Sequence, residues 1–196
     1  MKPKKKKSSM AKLADRHELY EISVQCAEAE VDFVISTFHS LRGRKPRTMR
    51  EDFCGTANVC CEWVKRSKKN SALGVDLDPG VLDWGRDRHV SKLDINARAR
   101  LELIEGDVLD TKTEKVDALL AMNFSYWVFT ERKLLLRYFE GAYKNLEKDG
   151  ILFLDAFGGY DSFREIDEER EIDEDGKEFS YIWDQAKFNP ITNHLK

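Results

Sequence analysis

Short apolar segments alternate with amphipathic segments along most of the sequence. Five of the apolar segments are predicted to be strands, at residues 47–52, 72–76, 100–104, 116–122 and 151–157. The fourth is almost entirely apolar, as expected of a strand that is buried on both faces of a sheet. Strands that alternate with helices predict a parallel, doubly wound α/β sheet with right-handed crossovers. In such sheets a ligand binds at the carboxyl ends of the strands.

The segments between these strands carry the apolar spacing of helices. Asp78 is a good N-cap and Pro79 suits the first helical position, so one helix begins there. Gly150 is expected to end the helix that precedes the last strand. Other helices are predicted at residues 13–20, 27–42, 57–66 and 130–148.

The strongest local signal is Glu51-Asp-Phe-Cys-Gly-Thr-Ala, at a predicted strand-to-helix turn. Gly55 lets the backbone approach a ligand closely because it has no Cβ. The helix that begins near Thr56 offers free N–H groups to an anion. Asp76 ends the second strand, where a carboxylate can accept hydrogen bonds from a ribose diol. An ordinary tight turn followed by a capping acid explains the same residues equally well.

The turn lacks the glycines that a dinucleotide site uses. Phe53 and Asn58 occupy the outer glycine positions of the G-x-G-x-x-G pattern. A bulky Phe53 leaves little room for a pyrophosphate, whereas S-adenosylmethionine carries no phosphate. An acidic first turn also suits the ammonium and sulfonium charges of that cofactor. The sequence therefore favours S-adenosylmethionine over NAD.

The motifs together resemble the class I S-adenosylmethionine-dependent methyltransferases, over residues 15–160. Glu51-Asp-Phe-Cys-Gly-Thr-Ala is similar to their first motif, although most members have glycine in place of Phe53. A Phe-Cys-Gly loop resembles that of the amino-group DNA methyltransferases. The other motifs follow in the family's order, at Gly74-Val-Asp-Leu-Asp-Pro, Ile104-Glu-Gly-Asp-Val, Asn123-Phe-Ser-Tyr-Trp and Leu146-Glu-Lys-Asp-Gly-Ile-Leu-Phe-Leu.

The resemblance implies roles for individual residues. Asp76 is the implied ribose ligand, and Asp107 is the implied partner of the adenine amino group, with a strand-end cap as its alternative role. Tyr20 lies where family members often have a helix over the methionine end, which makes it a further candidate. The cofactor-binding residues implied in this way are Tyr20, Glu51, Phe53, Cys54, Gly55, Thr56, Asp76, Leu77, Asp107, Val108 and Asn123.

Asn123, Tyr126 and Trp127 fall where the fourth motif faces the substrate. Asn123 could orient an acceptor amine, and Tyr126 could hydrogen-bond it, but all three are equally suited to packing. Phe124 and Ser125 replace the prolines of the Asn-Pro-Pro-Tyr motif of amino-group methyltransferases. This departure argues against a nucleic-acid substrate and favours a small-molecule or protein acceptor. The implied reaction is an in-line methyl displacement, for which alignment and desolvation matter more than a catalytic base.

Three other functions remain open at this stage. A non-catalytic protein could keep the cofactor site and lack the substrate machinery, and an NAD-dependent oxidoreductase is disfavoured by the missing glycines. An amino-group nucleic-acid methyltransferase is the third alternative. Binding of S-adenosylhomocysteine, as opposed to NAD, separates the oxidoreductase from the others, and turnover with an acceptor separates the enzyme from the binder.

Charge and composition exclude several other classes. The chain has 196 residues and a net charge of −3, which argues against a dedicated nucleic-acid binder. The basic tail at residues 1–12 is expected to be solvated, with a weak nucleic-acid patch or import signal as the alternative. The four cysteines and four histidines show no metal-ligand spacing, so no metal site is predicted. The absence of a signal peptide and of a long apolar run predicts a cytoplasmic protein.

The last part of the sequence departs from the family pattern. The family's sheet usually has seven strands, and the final two are expected to be absent here. The predicted organisation is an S-adenosylmethionine-binding domain at 13–160, followed at 161–196 by an acidic connector with a β appendage. Phe179, Tyr181 and Trp183 alternate as in a strand, and Asn189-Pro-Ile-Thr-Asn is predicted to turn after it. The predicted core order is 3-2-1-4-5, with an open edge at strand five that could support a homodimer.

Overall fold

A computed structural model describes residues 14–174 and 176–195 of the chain. The described residues form helices and strands in the order α1 Arg16–Val24, α2 Ala27–Arg42, β1 Thr48–Asp52, α3 Asn58–Arg66, β2 Ser71–Asp76, α4 Pro79–Arg88, α5 Ile95–Arg98, β3 Leu101–Glu105, β4 Val116–Ala121, α6 Arg132–Asn145, β5 Leu146–Leu154, β6 Ile166–Glu174, β7 Lys177–Gln185, β8 Phe188–Asn189 and β9 His194–Leu195. The basic tail predicted at residues 1–12 lies outside this part of the chain.

A five-stranded parallel sheet carries the larger of two compact units, which covers residues 27–157. Its order is β3-β2-β1-β4-β5, with β1 in the middle. Every residue of β4 is buried, as the apolar sequence predicted. The predicted Rossmann-like fold and strand order are confirmed. Among the described residues, no strand pairs with the outer edge of β5.

The main core of this unit lies where α2 and α3 pack beside the sheet. Phe38 of α2 and Trp63 of α3 are fully buried in one cluster with Met49 of β1. The Trp63 indole N–H donates to the carbonyl of Arg47 at 3.3 Å, so its polar atom is satisfied inside the core.

The helix predicted at 27–42 has the predicted ends. Asp78 caps α4 by accepting the N–H of Gly80, and Pro79 takes the first position, also as predicted.

The helix predicted at 130–148 is shorter than expected. It runs from Arg132 to Asn145, and β5 begins at once with Leu146. Gly150 lies within β5 and does not end the helix, which corrects the sequence prediction. A Cβ at Gly150 would lie 3.0 Å from the carbonyl oxygens of Val116 and Glu147, so the glycine permits a close backbone approach where the β4–β5 register shifts.

The second compact unit contains the described residues up to Cys26 and from Gly158 onward. Its largest element is an antiparallel hairpin of β6 and β7. Arg170 donates to the carbonyl of Ser23 in α1, and Lys177 pairs with Glu18 of α1 at 2.5 Å. The predicted strand around Phe179 is confirmed as β7, and Asn189 begins a turn by accepting the N–H of Ile191.

Part of the acidic segment after residue 160 forms a strand, so the expectation of a connector was wrong there. It forms β6, Ile166–Glu174, which pairs with β7 along its whole length. The carboxylates of β6 are exposed, and its two isoleucines, Ile166 and Ile172, share a face with the aromatic residues of β7. Cross-strand pairing with an aromatic strand therefore outweighs the poor intrinsic strand propensity of Asp and Glu.

Candidate cofactor and acceptor site

The turn after β1 is built from three residues with left-handed backbone. Phe53 has φ of 60°, Gly55 has φ of 53° and Ala57 has φ of 59°. Left-handed backbone is strained for residues other than glycine, and such strain concentrates at functional sites. A Cβ built at Gly55 meets no atom within 4 Å, so the turn faces open space at that point. Helix α3 begins one residue later than predicted, at Asn58, and Ala57 offers no side-chain cap to its free N–H groups.

The side chains of this turn mostly point into the protein. The Phe53 ring packs against Phe129 and Tyr138, with ring centroids 6.0 Å apart in both pairs. Cys54 and Thr56 are buried. Phe53 therefore anchors the turn in an aromatic cluster, and the open side of the turn is lined by backbone.

Asp76 fastens this turn to the end of β2. Its Oδ2 accepts the N–H of Gly55 at 2.8 Å, and its Oδ1 accepts the N–H of Asp78 at 3.0 Å. A carboxylate has about four lone-pair sites, so each oxygen can accept a further hydrogen bond. Asp76 is half-buried, and its carboxylate is positioned by backbone groups on both sides. This is the arrangement expected of a preformed acceptor for a diol.

Asp107 lies beside Asp76, because β2 and β3 end side by side. Their ends are joined by the Gly106 N–H, which donates to the Asp76 carbonyl at 2.9 Å. Asp107 is exposed, and its Oδ1 accepts the N–H of Leu109 at 2.9 Å. The residue is therefore a cap of its own turn, and its exposed carboxylate retains capacity for a ligand. The neighbouring Val108 is buried in a cluster with Val75, while Leu77 is 70% exposed.

Glu51 is a buried carboxyl at the base of the site. Its Oε2 accepts the Cys60 thiol at 3.0 Å. Burial, followed by the negative charges of Glu30 and Asp76, raises the pKa of Glu51 to about 8, although the Cys60 thiol opposes the shift. Burial and the Glu51 charge in turn raise the pKa of the Cys60 thiol, so that cysteine stays protonated and unreactive.

The segment after β4 that carries Asn123 and Tyr126 is held by Asp155, a residue that the sequence analysis missed. The two oxygens of the Asp155 carboxylate accept the N–H groups of Asn123, at 2.8 Å, and Phe124, at 2.9 Å. The Tyr126 hydroxyl donates to the Asp155 carbonyl at 3.0 Å. Asn123 and Phe124 both have left-handed backbone. Asp155 therefore stabilises a strained turn next to the topological switch between β1 and β4.

Aromatic side chains surround this turn. Phe124 packs against Trp127, with ring centroids 5.8 Å apart, and against Phe157 at 5.9 Å. Tyr126 meets Trp127 edge to face at 6.4 Å. Trp127 is 46% exposed, so part of its indole remains available to a ligand, and Asn123 is also exposed.

A buried ion pair lies on the other face of β1. The Arg50 Nε donates to Asp52 Oδ1 at 2.7 Å, and both side chains are only 1% exposed. The Tyr138 hydroxyl donates to Asp52 Oδ2 at 3.1 Å. Burial raises the pKa of Asp52, against the opposing effects of Arg50 and Tyr138, and burial with the Asp52 charge raises the pKa of Tyr138. Tyr138 therefore stays protonated and donates a hydrogen bond to the Asp52 carboxylate.

Gly85 of α4 was also missed from the sequence. A Cβ there would lie 2.2 Å from the carbonyl oxygen of Thr56, so α4 packs directly on the turn after β1. A glycine in the interior of a helix costs stability, which is the signal that could have found it. Gly85 thus supplies the close packing that a third glycine of the first turn provides in dinucleotide sites.

The sheet brings most of the sequence-predicted residues to one edge. Asp76 ends β2, and Gly55, Asp107 and Asn123 follow the carboxyl ends of the neighbouring strands β1, β3 and β4. Tyr20 lies on α1, in the other compact unit, and its cofactor role stays a prediction. Within the described residues, no helix has the length and apolar character needed to cross a membrane.

Comparison with known proteins assigns the family. A family model described as a methyltransferase domain matches residues 52–154, from the end of β1 to the end of β5. The chain therefore belongs to the methyltransferase-domain family, and the class I resemblance drawn from the motifs is confirmed. No curated protein gave a significant match to the sequence.

Solved structures, two of them described as methyltransferases, share the fold. The amino pentose methyltransferase CalS10 of Micromonospora echinaspora, solved with S-adenosylmethionine bound, is 14% identical, with a TM-score of 0.71 over 88% of this chain and 69% of its own. DesVI of Streptomyces venezuelae is 16% identical, with a TM-score of 0.73 over 90% and 72%. The sugar N-methyltransferase KedS8 of Streptoalloteichus sp ATCC 53650 is 16% identical, with a TM-score of 0.64 over 98% and 87%.

Proposed function

We propose that this chain binds S-adenosylmethionine at the carboxyl edge of its five-stranded sheet and methylates an amine on a small molecule. The observation that carries the cofactor site is Asp76, which is held by the Gly55 N–H beside a turn with open space at Gly55. Each oxygen of that carboxylate keeps acceptor capacity for a ribose hydroxyl. The residues present thus fit an adenosyl cofactor, and Phe53 stands where a dinucleotide site needs a glycine.

The remaining cofactor contacts follow from the chemistry of the edge. Asp107 would accept the adenine amino group, and the exposed Leu77 would cover the base. Asp76 places a carboxylate at the site, which suits a ligand that carries an ammonium and a sulfonium, whereas the raised pKa of Glu51 keeps that buried carboxyl largely protonated at neutral pH. The other implied residues would contribute backbone groups or packing surface, since their side chains are buried or packed. They are Glu51, Phe53, Cys54, Thr56 and Val108.

When bound, the cofactor supplies a methyl group on sulfur that is already activated for displacement. The protein then has to align the acceptor and exclude water. The side-chain amide oxygen of Asn123 can accept a hydrogen bond from the amine of the acceptor. This bond would orient the lone pair of the amine nitrogen. Tyr126 and Trp127 would form the wall of the acceptor pocket, and their rings would displace water from it.

Two observations support a small molecule as acceptor. The loop at 123–129 contains no charged residue, and four of its seven side chains are aromatic, which suits a compact ligand with an apolar face. Two of the structural neighbours are described as an amino pentose methyltransferase and a sugar N-methyltransferase. We therefore place amino sugars first among the candidate acceptors. A cytoplasmic location, and a homodimer through the open edge of β5, remain proposals.

A methyl-transfer screen tests the catalytic part of this proposal. The full chain would be incubated with cofactor labelled on the methyl group and a panel of amino sugars, other small amines and short peptides. Label transfer to an amino sugar that is lost in Asn123→Ala would support the proposal. Transfer to peptides alone would overturn the small-molecule acceptor. Cofactor binding without transfer to any acceptor class would favour a non-catalytic binding protein.

A further inference from the structure

A buried arginine connects the central strand to the turn that carries Asp107. Arg50 pairs with Asp52 through Nε, and its Nη1 donates to the carbonyl of Thr111 at 2.9 Å and to the hydroxyl of Thr113 at 3.2 Å. Both threonines belong to the connection between β3 and β4. The Arg50 side chain is 1% exposed, so a fixed positive charge is buried against one face of the sheet.

The hydrogen bonds continue from Thr111 to Asp107. The Thr111 N–H and hydroxyl both donate to the Asp107 carbonyl, at 2.8 Å and 2.7 Å. The Asp107 carboxylate in turn accepts the Leu109 N–H. A Cβ at Gly106 would lie 2.7 Å from the Thr111 hydroxyl oxygen, so the turn is closely packed. Arg50 therefore fixes the far side of a turn whose near side presents the Asp107 carboxylate.

Stability alone gives little reason to keep such a pair. Replacing a buried ion pair with packed apolar side chains of similar volume is often neutral or stabilising, because desolvation offsets the charge attraction. An apolar pair at these two positions of β1 would also suit the surrounding cluster, which contains Val75 and Ala121. What an apolar pair cannot supply is a donor to the Thr111 carbonyl and the Thr113 hydroxyl. The network's specific effect is thus on the conformation of the Asp107 turn.

We propose that Arg50, held in place by Asp52 and Tyr138, is a positioning residue for recognition of the cofactor's base. It acts through Thr111, whose N–H and hydroxyl hold the Asp107 carbonyl and so fix the turn that presents the Asp107 carboxylate, and it touches no ligand itself. This inference rests on the proposed cofactor site, and specifically on Asp107 as the reader of the adenine amino group. Discrimination between bases would thus depend on a charge network that lies beneath the site.

The test compares two ligands that differ only at the base. S-adenosylhomocysteine carries the amino group that a carboxylate accepts, and S-inosylhomocysteine carries a carbonyl oxygen there. Affinities for both would be measured by calorimetry on the full chain and on the triple variant Arg50→Met/Asp52→Leu/Tyr138→Phe. The wild type should prefer the adenosyl ligand by about tenfold or more, as one hydrogen bond to a carboxylate predicts. The variant should unfold near the wild-type temperature and lose most of that preference.

Two further variants keep the test decisive. Arg50→Lys retains a positive charge beside Asp52 but cannot reach both Asp52 and Thr111, so it serves if the triple variant does not fold, and it should also lose the preference. Arg137→Met is the matched control, since Arg137 contacts Asp110 of the same turn from the exposed side. It should keep the preference.

The outcomes separate this inference from the proposed function. If the wild type fails to bind S-adenosylhomocysteine, the proposed function fails. If the wild type binds and discriminates and the folded Arg50 variants do so equally, the proposed function stands and the inference is overturned. If the wild type binds both ligands equally, the Asp107 turn does not read the base, and the inference is again overturned.

Discussion

The Asp76 carboxylate accepts the backbone N–H of Gly55 at 2.8 Å, across 21 residues of sequence. This bond joins the ends of β1 and β2 at the point where the turn after β1 has left-handed backbone and open space. The same carboxylate also accepts the Asp78 N–H at the start of α4. The candidate ribose ligand is therefore oriented by the turn before any ligand binds, which reduces the ordering that binding requires.

Glu51 should make stability depend on pH. The pKa of Glu51 is raised from the ordinary value of 4.5 to about 8 in the folded state, so the folded state binds more protons than the unfolded state between those pH values. The stability that the neutral carboxyl provides is present below pH 4.5 and is lost as the pH rises through 8. Glu51→Gln, which mimics the neutral carboxyl, should remove this loss. Urea denaturation from pH 5 to 8.5 would show the wild type losing stability while the variant stays level.

The control for Glu51 is Glu102→Gln, which changes an exposed carboxyl on β3. Its pH profile should follow that of the wild type. A Glu51→Gln profile parallel to the wild type would mean that Glu51 titrates near its ordinary pKa and that burial does not control it.

Asp107→Ala should weaken binding of S-adenosylhomocysteine while the fold is kept. The cost in binding is expected to be about 1.5–3 kcal/mol, the range for a hydrogen bond to a charged group. Loss of the cap to Leu109 should lower the free energy of unfolding by only about 0.5–1.5 kcal/mol. Calorimetry and thermal unfolding measure the two effects. Unchanged affinity in the folded variant would leave Asp107 as a strand-end cap alone.

Asp155→Ala should release the turn at Asn123 and Phe124. The N–H groups of Asn123 and Phe124 would lose the carboxylate that accepts them, and their strained backbone would lose its support. Amide hydrogen exchange of those two residues should rise, and the methyl-transfer rate should fall more than the affinity for S-adenosylhomocysteine. Exchange at Gly55 serves as an internal reference, since Asp76 is its partner. Equal exchange at Asn123 in both proteins would contradict the role of Asp155.

Asp52→Asn should destabilise the fold strongly, because it leaves the Arg50 charge buried without its counter-ion. Removal of one partner of a buried pair costs about 3–5 kcal/mol. Asp83→Asn is the matched control, since Asp83 pairs with Arg86 at 2.6 Å on the exposed surface of α4, and exposed pairs contribute about 0–1 kcal/mol. Chemical denaturation of the two variants measures the difference. Similar small losses in both would mean that Arg50 finds another partner or is hydrated.

The sheet was predictable from the sequence because its strands are short apolar runs separated by helical spacing. β4 is buried along its whole length, and the apolar sequence at 116–122 showed this directly. β6 was not predictable, because its charged residues have poor strand propensity and its pairing with β7 is a cross-strand effect. The early start of β5 at Leu146 likewise depends on a register shift against β4.

The site was predictable only in part. Gly55 and Asp76 could be recognised from their residue types and spacing, and the structure brings them together. The left-handed backbone at Phe53 could not be read from the residue itself, since a Phe rarely adopts it, and only the glycine that the family has at this position pointed to it. Asp155 and Arg50 act on residues 31 and 61 positions away, at Phe124 and Thr111, so only the folded chain shows their partners. The cofactor roles themselves stay predictions.

Calorimetric titration of S-adenosylhomocysteine into the wild-type chain, Asp76→Ala and Asp83→Ala tests the central claim most directly. The claim predicts saturable binding to the wild type and to Asp83→Ala. It also predicts a loss of about 1.5–3 kcal/mol in Asp76→Ala, since hydrogen bonds to a charged group fall in that range. Each protein should first show cooperative unfolding, so that lost binding is not lost folding. Equal affinity in folded Asp76→Ala, or no binding to the wild type, would contradict the cofactor site proposed here.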